Sequence, residues 1–153
     1  MKQREQVAMT AEETAAMLAG SSKLQLATIN PDGTAHLVTM FYTMLDGRIA
    51  FWTYRSSQKA LNIARDPRVT CLVETGEEYF ELRGVQVAGR ALCISDPDGV
   101  LDIGRRIAAR MRDVPAGALE DYVTHAARKR FGYIVAPERV VSWDHRKLLP
   151  PAG

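Results

Sequence analysis

The sequence predicts a mainly β protein in which about six antiparallel strands form a small closed or half-open barrel with accessory helices. Short runs of alternating apolar and polar residues recur along the chain, and turn residues separate them. One helical segment is expected after the third strand and a pair of helices before the last. With 153 residues, the chain fits a single domain over residues 1–153.

Charge and hydropathy argue against several function classes. The formal net charge of +2 is too small to predict a nucleic-acid-binding surface. No apolar run approaches the roughly 20 residues that a membrane helix needs, and the N-terminus is polar. We therefore expect a cytoplasmic protein that binds neither membranes nor nucleic acid. Cys71 and Cys93 lie far apart in apolar runs, which predicts two buried thiols and no metal site.

A capping box predicts the first helix, with Thr10 at the N-cap, Glu13 three residues later and a stop at Gly20. This helix belongs to an N-terminal helical segment over residues 1–22. Turn residues at 31–33 and 46–47 then separate three strands, which we expect to pair in order as a meander. The three strands are expected at residues 24–30, at residues 35–45 and up to Tyr54.

The second half of the chain predicts a long bent strand and two inserted helices. Gly84 and Gly89 interrupt the apolar alternation of the long strand, which indicates a bend, a bulge or a close backbone approach. The inserted helices occupy residues 97–130, where apolar residues recur at helical spacing from Val100 to Met111. The strands of this half are expected at residues 68–75, 78–94, 131–135 and 140–143.

An aromatic strand leading into a short helix, over residues 49–65, carries the strongest binding signal. Ser56 or Ser57 is placed to cap this helix. The first-turn N–H groups of a helix lack internal partners and favour negative charge, and Arg55 and Lys59 add cations beside them. The segment therefore suits a phosphate group. The alternative is that Ser57 is only a cap and that Lys59 only solvates the helix.

Three short runs here resemble a known family: Phe-Trp-Thr at 51–53, Ser-Gln-Lys-Ala at 57–60 and Asp-Pro-Arg-Val at 66–69. They are similar to the flavin-phosphate segment of the pyridoxamine 5'-phosphate oxidase-like, FMN-binding split-barrel family. That family includes flavin/deazaflavin oxidoreductases, which use FMN or the deazaflavin coenzyme F420. The resemblance covers residues 24–148 and implies a split β-barrel, a homodimer and a bound FMN or F420.

The resemblance also implies which residues contact the cofactor. In the family, the second strand lies along the cofactor ring, while the third strand and the following helix hold the ribityl and phosphate groups. Trp143 matches a family tryptophan near the cofactor at the dimer interface, and Arg55 is an added cation beside the phosphate site. The implied contacts are His36, Leu37, Val38, Thr39, Met40, Phe41, Trp52, Thr53, Arg55, Ser57, Gln58, Lys59 and Trp143.

The sequence departs from the vitamin B6 oxidases at positions that bear on the choice of cofactor. Those enzymes have cations at the positions of His36 and Phe41, and a glutamine at the position of Gly84. We therefore expect a relative of pyridoxamine 5'-phosphate oxidase with another substrate. FMN ends in a doubly charged phosphate, so the lost cations favour F420. The alternative is that Arg55 compensates for them and that FMN binds.

Several of these residues also have ordinary structural explanations. Met40 and Phe41 on a strand are often core residues, and Trp52 and Trp143 are equally suited to be packing anchors. Histidine is a residue type that can act as a general acid, but the sequence identifies no carboxylate partner for His36 or His125. We predict no catalytic side chain and no metal ligand.

The motifs of hydrolases, zinc proteases and nucleotide-binding loops are missing from the sequence. A bound cofactor can carry hydride chemistry without a catalytic dyad in the protein. The sequence and the resemblance together predict an oxidoreductase that transfers a hydride between F420 and a small organic acceptor. The alternatives are an FMN-binding reductase or oxidase, and a non-catalytic protein that binds a flavin, a deazaflavin or haem.

Overall fold

The computed structural model describes residues 1–115 and 117–151, and strands dominate its secondary structure. The strands are β1 (Lys23–Ile29), β2 (Ala35–Phe41), β3 (Thr43–Leu45), β4 (Arg48–Tyr54), β5 (Arg68–Thr75), β6 (Arg83–Ile94) and β7 (Arg130–Asp144). The helices are α1 (Gln3–Val7), α2 (Ala11–Gly20), α3 (Gln58–Arg65), α4 (Pro97–Ala109) and α5 (Glu120–Ala127). Helix α1 was not predicted, and part of the loop before α5 lies at Ala116, outside the described residues.

The seven strands form one antiparallel sheet in the order β2-β1-β5-β6-β7-β4-β3. Its two edge strands, β2 and β3, are consecutive in the chain and are separated only by Tyr42. The chain therefore passes from one edge of the sheet to the other at a single residue, which requires the sheet to curl on itself. The predicted split β-barrel is confirmed, with seven strands where about six were expected.

The extra strand corrects the predicted strand over residues 35–45. Its first part pairs with β1 and its last three residues pair with β4, so the expected meander of three strands does not form. Tyr42 separates the two parts: its side chain is buried, its N–H donates to the Ser22 carbonyl at 3.0 Å and its hydroxyl donates to the Leu18 carbonyl. The hairpin turn at Asp46 and Gly47 is confirmed, with φ values of 51° and 75°.

The core fills the inside of the curled sheet. Leu24, Leu26 and Thr28 of β1 all face inward and are buried, as the alternation of that strand predicted. Phe51 of β4 and Tyr133 of β7 stack with ring centroids 5.2 Å apart in the same core. This interior is packed with side chains, so a ligand site must lie at the surface of the barrel.

Strands β6 and β7 form the longest pairing of the sheet. Residues 131–135 and 140–143, predicted as separate segments, belong to one strand that continues through a bulge: Ala88 lies opposite Arg139 and Gly89 opposite Pro137, which leaves Glu138 as the extra residue. A Cβ at Gly89 would lie 2.1 Å from the Ala136 carbonyl oxygen, so glycine is required at this close approach. Strand β6 starts at Arg83 and not at residue 78, because residues 79–81 form a 3₁₀ turn.

The helix caps follow the sequence closely. The capping box of Thr10 and Glu13 is present in both directions, and Ser57 caps α3 while Asp96 caps α4. Apolar residues of α4 face inward, as their spacing predicted. One prediction about the cysteines is wrong: Cys71 is buried, but Cys93 is exposed near the end of β6. No helix in the described ranges is long and apolar enough to cross a membrane.

Candidate functional site

A cleft of about 330 Å³ opens where the ends of β2 and β4 meet the start of α3 and the α4–α5 pair. Its volume lies at the lower end of the range for small-molecule sites, roughly 300 to 1,000 Å³. Polar and charged groups lie where β4, α3 and β7 meet, while α4 and α5 contribute mainly apolar side chains. The cleft is lined by Thr39, Met40, Phe41, Trp52, Thr53, Tyr54, Lys59, Gly104, Ile107, Ala108, Met111, Leu119, Tyr122, Val123 and Arg130.

Two cations, Lys59 and Arg130, line this cleft together. Burial and the positive charge of Arg130 lower the pKa of Lys59 from its ordinary value. The guanidinium of Arg130 lies 4.0 Å from the centre of the Tyr54 ring and 5.0 Å from that of Trp52, and one of its nitrogens donates to the Ala126 carbonyl at 3.1 Å. Like charges held this close favour an anion between them.

The start of α3 lies beside these cations. The Ser57 hydroxyl accepts from the Ala60 N–H at 3.2 Å, which makes Ser57 the N-cap and decides between the two serines that the sequence left open. The buried Thr53 hydroxyl donates to the Ser57 oxygen at 3.2 Å and so orients the cap. The Gln58 amide donates to Asn62 within the same helix at 2.8 Å, and its side chain does not line the cleft.

Strand β2 brings only its last three residues to the cleft. Thr39, Met40 and Phe41 line it, whereas His36, Leu37 and Val38 do not. Side chains along β2 alternate between half-buried and exposed, and Leu37 is 65% exposed on the outer face. The Nδ1 atom of His36 is buried and has no hydrogen-bond partner in the described part of the chain. Met40 packs against the core as well as lining the cleft.

Trp52 forms the floor of the cleft and is held there by a glycine. A Cβ at Gly104 would lie 2.4 Å from the Trp52 ring, so α4 approaches β4 closely only because residue 104 has no side chain. Ile107 and Met111 pack in the same small cluster as the ring, one and two turns farther along the chain. Trp52 is therefore a packing anchor that also lines the cleft.

Besides the residues of β2 and α3 that do not line the cleft, Arg55 and Trp143 also lie away from it. The Arg55 guanidinium lies 5.3 Å from the centre of the Phe131 ring and faces a neighbouring groove. Trp143 covers Gly84 on the β6–β7 pair, where a Cβ would lie 2.2 Å from its ring. A close approach of this kind was one of the three explanations offered for a glycine in this strand. Within one chain, therefore, the fold does not bring Trp143 to the cleft.

The sequence alone missed Arg130, Tyr54 and the apolar residues of α4 and α5 as site residues. Arg130 lies directly opposite Tyr54 in the pairing of β4 with β7. In the sequence, Arg130 is only a cation at the start of a strand that follows a helix, and this pattern is a weak indication of a binding residue. Its significance depends on pairing between positions 76 residues apart, which no local pattern reveals.

The cleft fits a flavin-type cofactor. Its two cations and the capped helix start match a phosphate, while its apolar walls match a flat ring system. The described residues contain no group of histidine, cysteine, aspartate or glutamate side chains that could hold a metal ion. The two cations and the apolar walls of the cleft favour an organic ligand with an anionic end.

The comparisons with known proteins agree with this geometry. The family model of pyridoxamine 5'-phosphate oxidase matches residues 10–147. The crystal structure of conserved hypothetical protein Rv2991 from Mycobacterium tuberculosis is similar over 100% of this chain and 96% of its own, with 38% identity and a TM-score of 0.89. No curated protein sequence matches the chain.

Two more distant structures share the fold. An F420 reductase is 22% identical, with a TM-score of 0.62 over 82% of this chain and 93% of its own. The heme storage protein HutZ from Vibrio cholerae is 14% identical, with a TM-score of 0.68 over 86% of this chain and 94% of its own. The fold and the match over residues 10–147 lead to one conclusion: the chain belongs to the pyridoxamine 5'-phosphate oxidase-like split-barrel family.

Proposed function

We propose that this protein is an oxidoreductase that binds F420 in the cleft and transfers a hydride between it and a small organic acceptor. The observation that carries the proposal is that two cations, Lys59 and Arg130, line the same mainly apolar cleft. His36 and Phe41 on β2 add no permanent positive charge. Two cations beside the start of α3 suit the anionic phosphate of either cofactor, and the F420 reductase that shares the fold supports the choice of F420.

The chain's own residues would bind and orient the cofactor. Lys59 and Arg130 would hold its phosphate, with the first turn of α3 beside them. Thr39 and Phe41, at the exposed end of β2, and Trp52 below them would contact the ring. Helices α4 and α5 would exclude water from one side of the ring through Ile107, Met111 and their neighbours. When bound, F420 supplies the hydride chemistry itself.

We further propose that a second copy of the chain completes the site. The outer face of the sheet carries a row of small and apolar side chains across four strands: Leu37 opposite Ala27, Ala27 opposite Thr70, and Thr70 opposite Ala88. Leu37 is 65% exposed and Phe41 is 49% exposed on β2, which is an edge strand. Ala27, Thr70 and Ala88 are half-buried while Leu37 is exposed, and a partly exposed face of small and apolar side chains is typical of a protein interface. A homodimer would also give Trp143 a cofactor to contact on the partner subunit.

Titration of the purified apo protein with F420 and with FMN, followed by fluorescence, tests the proposal. We expect tighter binding of F420, and turnover of reduced F420 with at least one neutral acceptor such as a quinone or an enone. FMN is the second candidate because Arg130 restores a cation that β2 lacks. Tighter binding of FMN, or a yellow protein purified with FMN from a host without F420, would overturn the choice of F420.

The same experiment separates an enzyme from a binding protein. A protein that binds F420 tightly but shows no turnover with quinone, enone and tetrapyrrole acceptors would be a carrier. Tight binding of haem in place of either cofactor would favour a role similar to that of the heme storage protein that shares the fold.

A further inference from the structure

A second cavity, of about 450 Å³, lies at the end of the barrel beside α2. One of its walls is formed by the last residue of β5, the first of β6 and the last of β7, namely Thr75, Arg83 and Asp144. These three residues are neighbours in the sheet, because Arg83 lies opposite both of the others. The cleft described above lies at the other end of β7, which begins at Arg130, and the two cavities share no lining residue.

The opposite wall is apolar and comes from the N-terminal segment. Met9, Ala16 and Met17 line it, and both methionines also pack against the core. The Met9 N–H donates to the Ser142 hydroxyl at 3.0 Å, which fixes the chain before α2 to strand β7. The cavity is therefore a defined gap between α2 and the sheet, with hydrocarbon on one side and polar groups on the other.

Arg83 leaves this cavity with one positive charge in excess. The arginine is half-buried and lies on the same face of β6 as the buried Val85 and Val87, so its side chain points toward the inside of the barrel. In the part of the chain that the structure describes, its guanidinium forms no ion pair within 4.0 Å.

The two carboxylates of the cavity are already paired with other cations. Asp144, whose side chain is only 4% exposed, accepts from Nε of Arg146 at 3.0 Å and from Nη2 at 2.8 Å. Glu13 pairs with Lys147 at 2.8 Å. Neither carboxylate is therefore available to neutralise Arg83.

Arg83 and Arg146 lie on either side of the same carboxylate. The hydrogen bonds from Arg146 hold the pKa of Asp144 below its ordinary value, and the charge of Arg83 is a further cause. Arg146 binds Asp144 through Nε and Nη2, which leaves Nη1 outside this pair. Two guanidinium groups thus offer N–H donors to one cavity, and their planar geometry matches a carboxylate.

We propose that this cavity binds a small monocarboxylate with an aliphatic chain. The carboxylate would pair with Arg83 and accept a hydrogen bond from Nη1 of Arg146, while the chain would lie against Met9 and Met17. One excess positive charge matches one carboxylate, and Glu13 on the wall disfavours a second. This site is separate from the cofactor cleft, so the proposal holds whichever cofactor binds there.

Isothermal titration calorimetry with hexanoate tests this inference. We expect one saturable site with a Kd on the order of 1 mM or lower. Hexanol lacks the charge and adipate carries a second carboxylate, so each should bind at least about 10-fold more weakly. Hexanoate should also raise the unfolding temperature of the protein without any added flavin or F420, because a ligand that binds only the folded chain stabilises it.

The substitution Arg83→Gln should weaken hexanoate binding by about 10- to 100-fold, because it removes the charge that pairs with the carboxylate. The matched control is Arg90→Gln, which removes an exposed arginine of the same strand that is paired with Glu138 at 3.4 Å. We expect this control to leave hexanoate binding unchanged. A second variant, Ala16→Glu, keeps Arg83 but places a carboxylate on the α2 wall, at an exposed helical position that tolerates glutamate. It should weaken hexanoate binding as well.

Three results would overturn the carboxylate site. The first is the absence of saturable hexanoate binding up to about 10 mM. The second is equal affinity of the unsubstituted protein and Arg83→Gln. The third is loss of binding in Arg130→Met with binding kept in Arg83→Gln, because hexanoate would then lie in the cofactor cleft. If circular dichroism shows that Arg83→Gln does not fold, Ala16→Glu decides the question by itself, and unchanged hexanoate affinity in that variant would also overturn the site.

Discussion

The guanidinium of Arg130 lies 4.0 Å from the centre of the Tyr54 ring, on the strand that pairs directly with its own. The ring of Trp52 lies 5.0 Å away on the same strand, and the Ala126 carbonyl accepts a hydrogen bond from the guanidinium. Two aromatic contacts and a backbone hydrogen bond hold this cation in one orientation at the edge of the cleft. A positioned cation loses less conformational freedom when it binds an anion.

Substituting Arg130→Met should therefore weaken cofactor binding by about 1.5 to 3 kcal/mol, the range for a hydrogen bond to a charged group. Methionine keeps much of the apolar contact with the two rings, so the fold should survive. The measurement is a titration with F420 and with FMN. The control is Arg106→Met, which removes an exposed arginine that is bound to Asp102. Equal affinities for all three proteins would place the phosphate elsewhere.

The substitution Lys59→Ala should weaken cofactor binding by a similar amount, about 1.5 to 3 kcal/mol. The lysine lines the cleft beside Arg130, and we expect its ammonium group to contact the phosphate. Lys23→Ala, at an exposed position of β1, is the matched control. If Lys59→Ala left the affinity unchanged, Lys59 would be only a solvent-exposed side chain of α3 and would not bind the phosphate.

The pH dependence of binding should also report on Lys59. Burial and the charge of Arg130 lower the pKa of its ammonium group in the free protein, and a bound phosphate would raise that pKa. Affinity should therefore fall as pH rises through the lowered pKa, at a pH below the ordinary value of about 10.4. The stability of the free protein should depend on pH in the opposite direction. Between the lowered pKa of Lys59 in the folded chain and its ordinary pKa in the unfolded chain, the unfolded chain binds more protons, so the free energy of unfolding rises with pH. When cofactor affinity is measured against pH, the Lys59→Ala variant should not show this decline.

Replacing Gly104→Ala should destabilise the protein by about 1 to 3 kcal/mol, because a Cβ there would overlap the Trp52 ring at 2.4 Å. The ring must move into the cleft or α4 must move away from β4, so tryptophan fluorescence should change as well. Gly20→Ala at the end of α2 is the control, since a Cβ there meets nothing within 4 Å. Equal stability of both variants would contradict the close packing of α4 on Trp52.

The proposed dimer predicts that Leu37→Lys yields a monomer. The side chain is 65% exposed in the single chain, so a lysine there should not harm folding, but it would place a charge in the middle of the interface. Light scattering at micromolar concentration should give a dimer for the unsubstituted protein and a monomer for the variant. Leu92→Lys, at another exposed strand position, should leave the dimer intact. If light scattering showed the unsubstituted protein to be a monomer, the prediction of a homodimer would be wrong.

Local chemistry allowed several elements to be predicted from the sequence. The capping box of Thr10 and Glu13, the start of α3 at one of two adjacent serines and the turn at Asp46 and Gly47 depend on contacts within three or four residues. Strand β5 was predicted at its observed bounds because alternation and turn signals define it completely. Elements whose bounds depend on distant contacts were predicted less well. Residues 35–45 read as one strand although Tyr42 divides them between two edges of the sheet.

The predicted site divides in the same way. Lys59, Thr53 and Trp52 line the cleft because β4 and α3 are consecutive in the chain, so their mutual placement is a local property. Arg130 escaped prediction because it reaches the cleft through the pairing of β7 with β4, far away in sequence. Whether Trp143 contacts a cofactor depends on quaternary structure, that is, on the proposed association of two chains in a homodimer.

By itself, the sequence determined a small antiparallel barrel with accessory helices, a capped helix directly after the aromatic strand β4, and an interruption of the long strand β6 at Gly89. Each of these follows from a hydrophobic period, a cap or a backbone conformation that a few neighbouring residues dictate. Only the tertiary structure decided that Arg130 joins Lys59 and that Gly104 admits the Trp52 ring against α4. The physical reason is that the sequence states which side chains are charged, whereas the electrostatic potential at a site depends on which distant strands and helices pack together there.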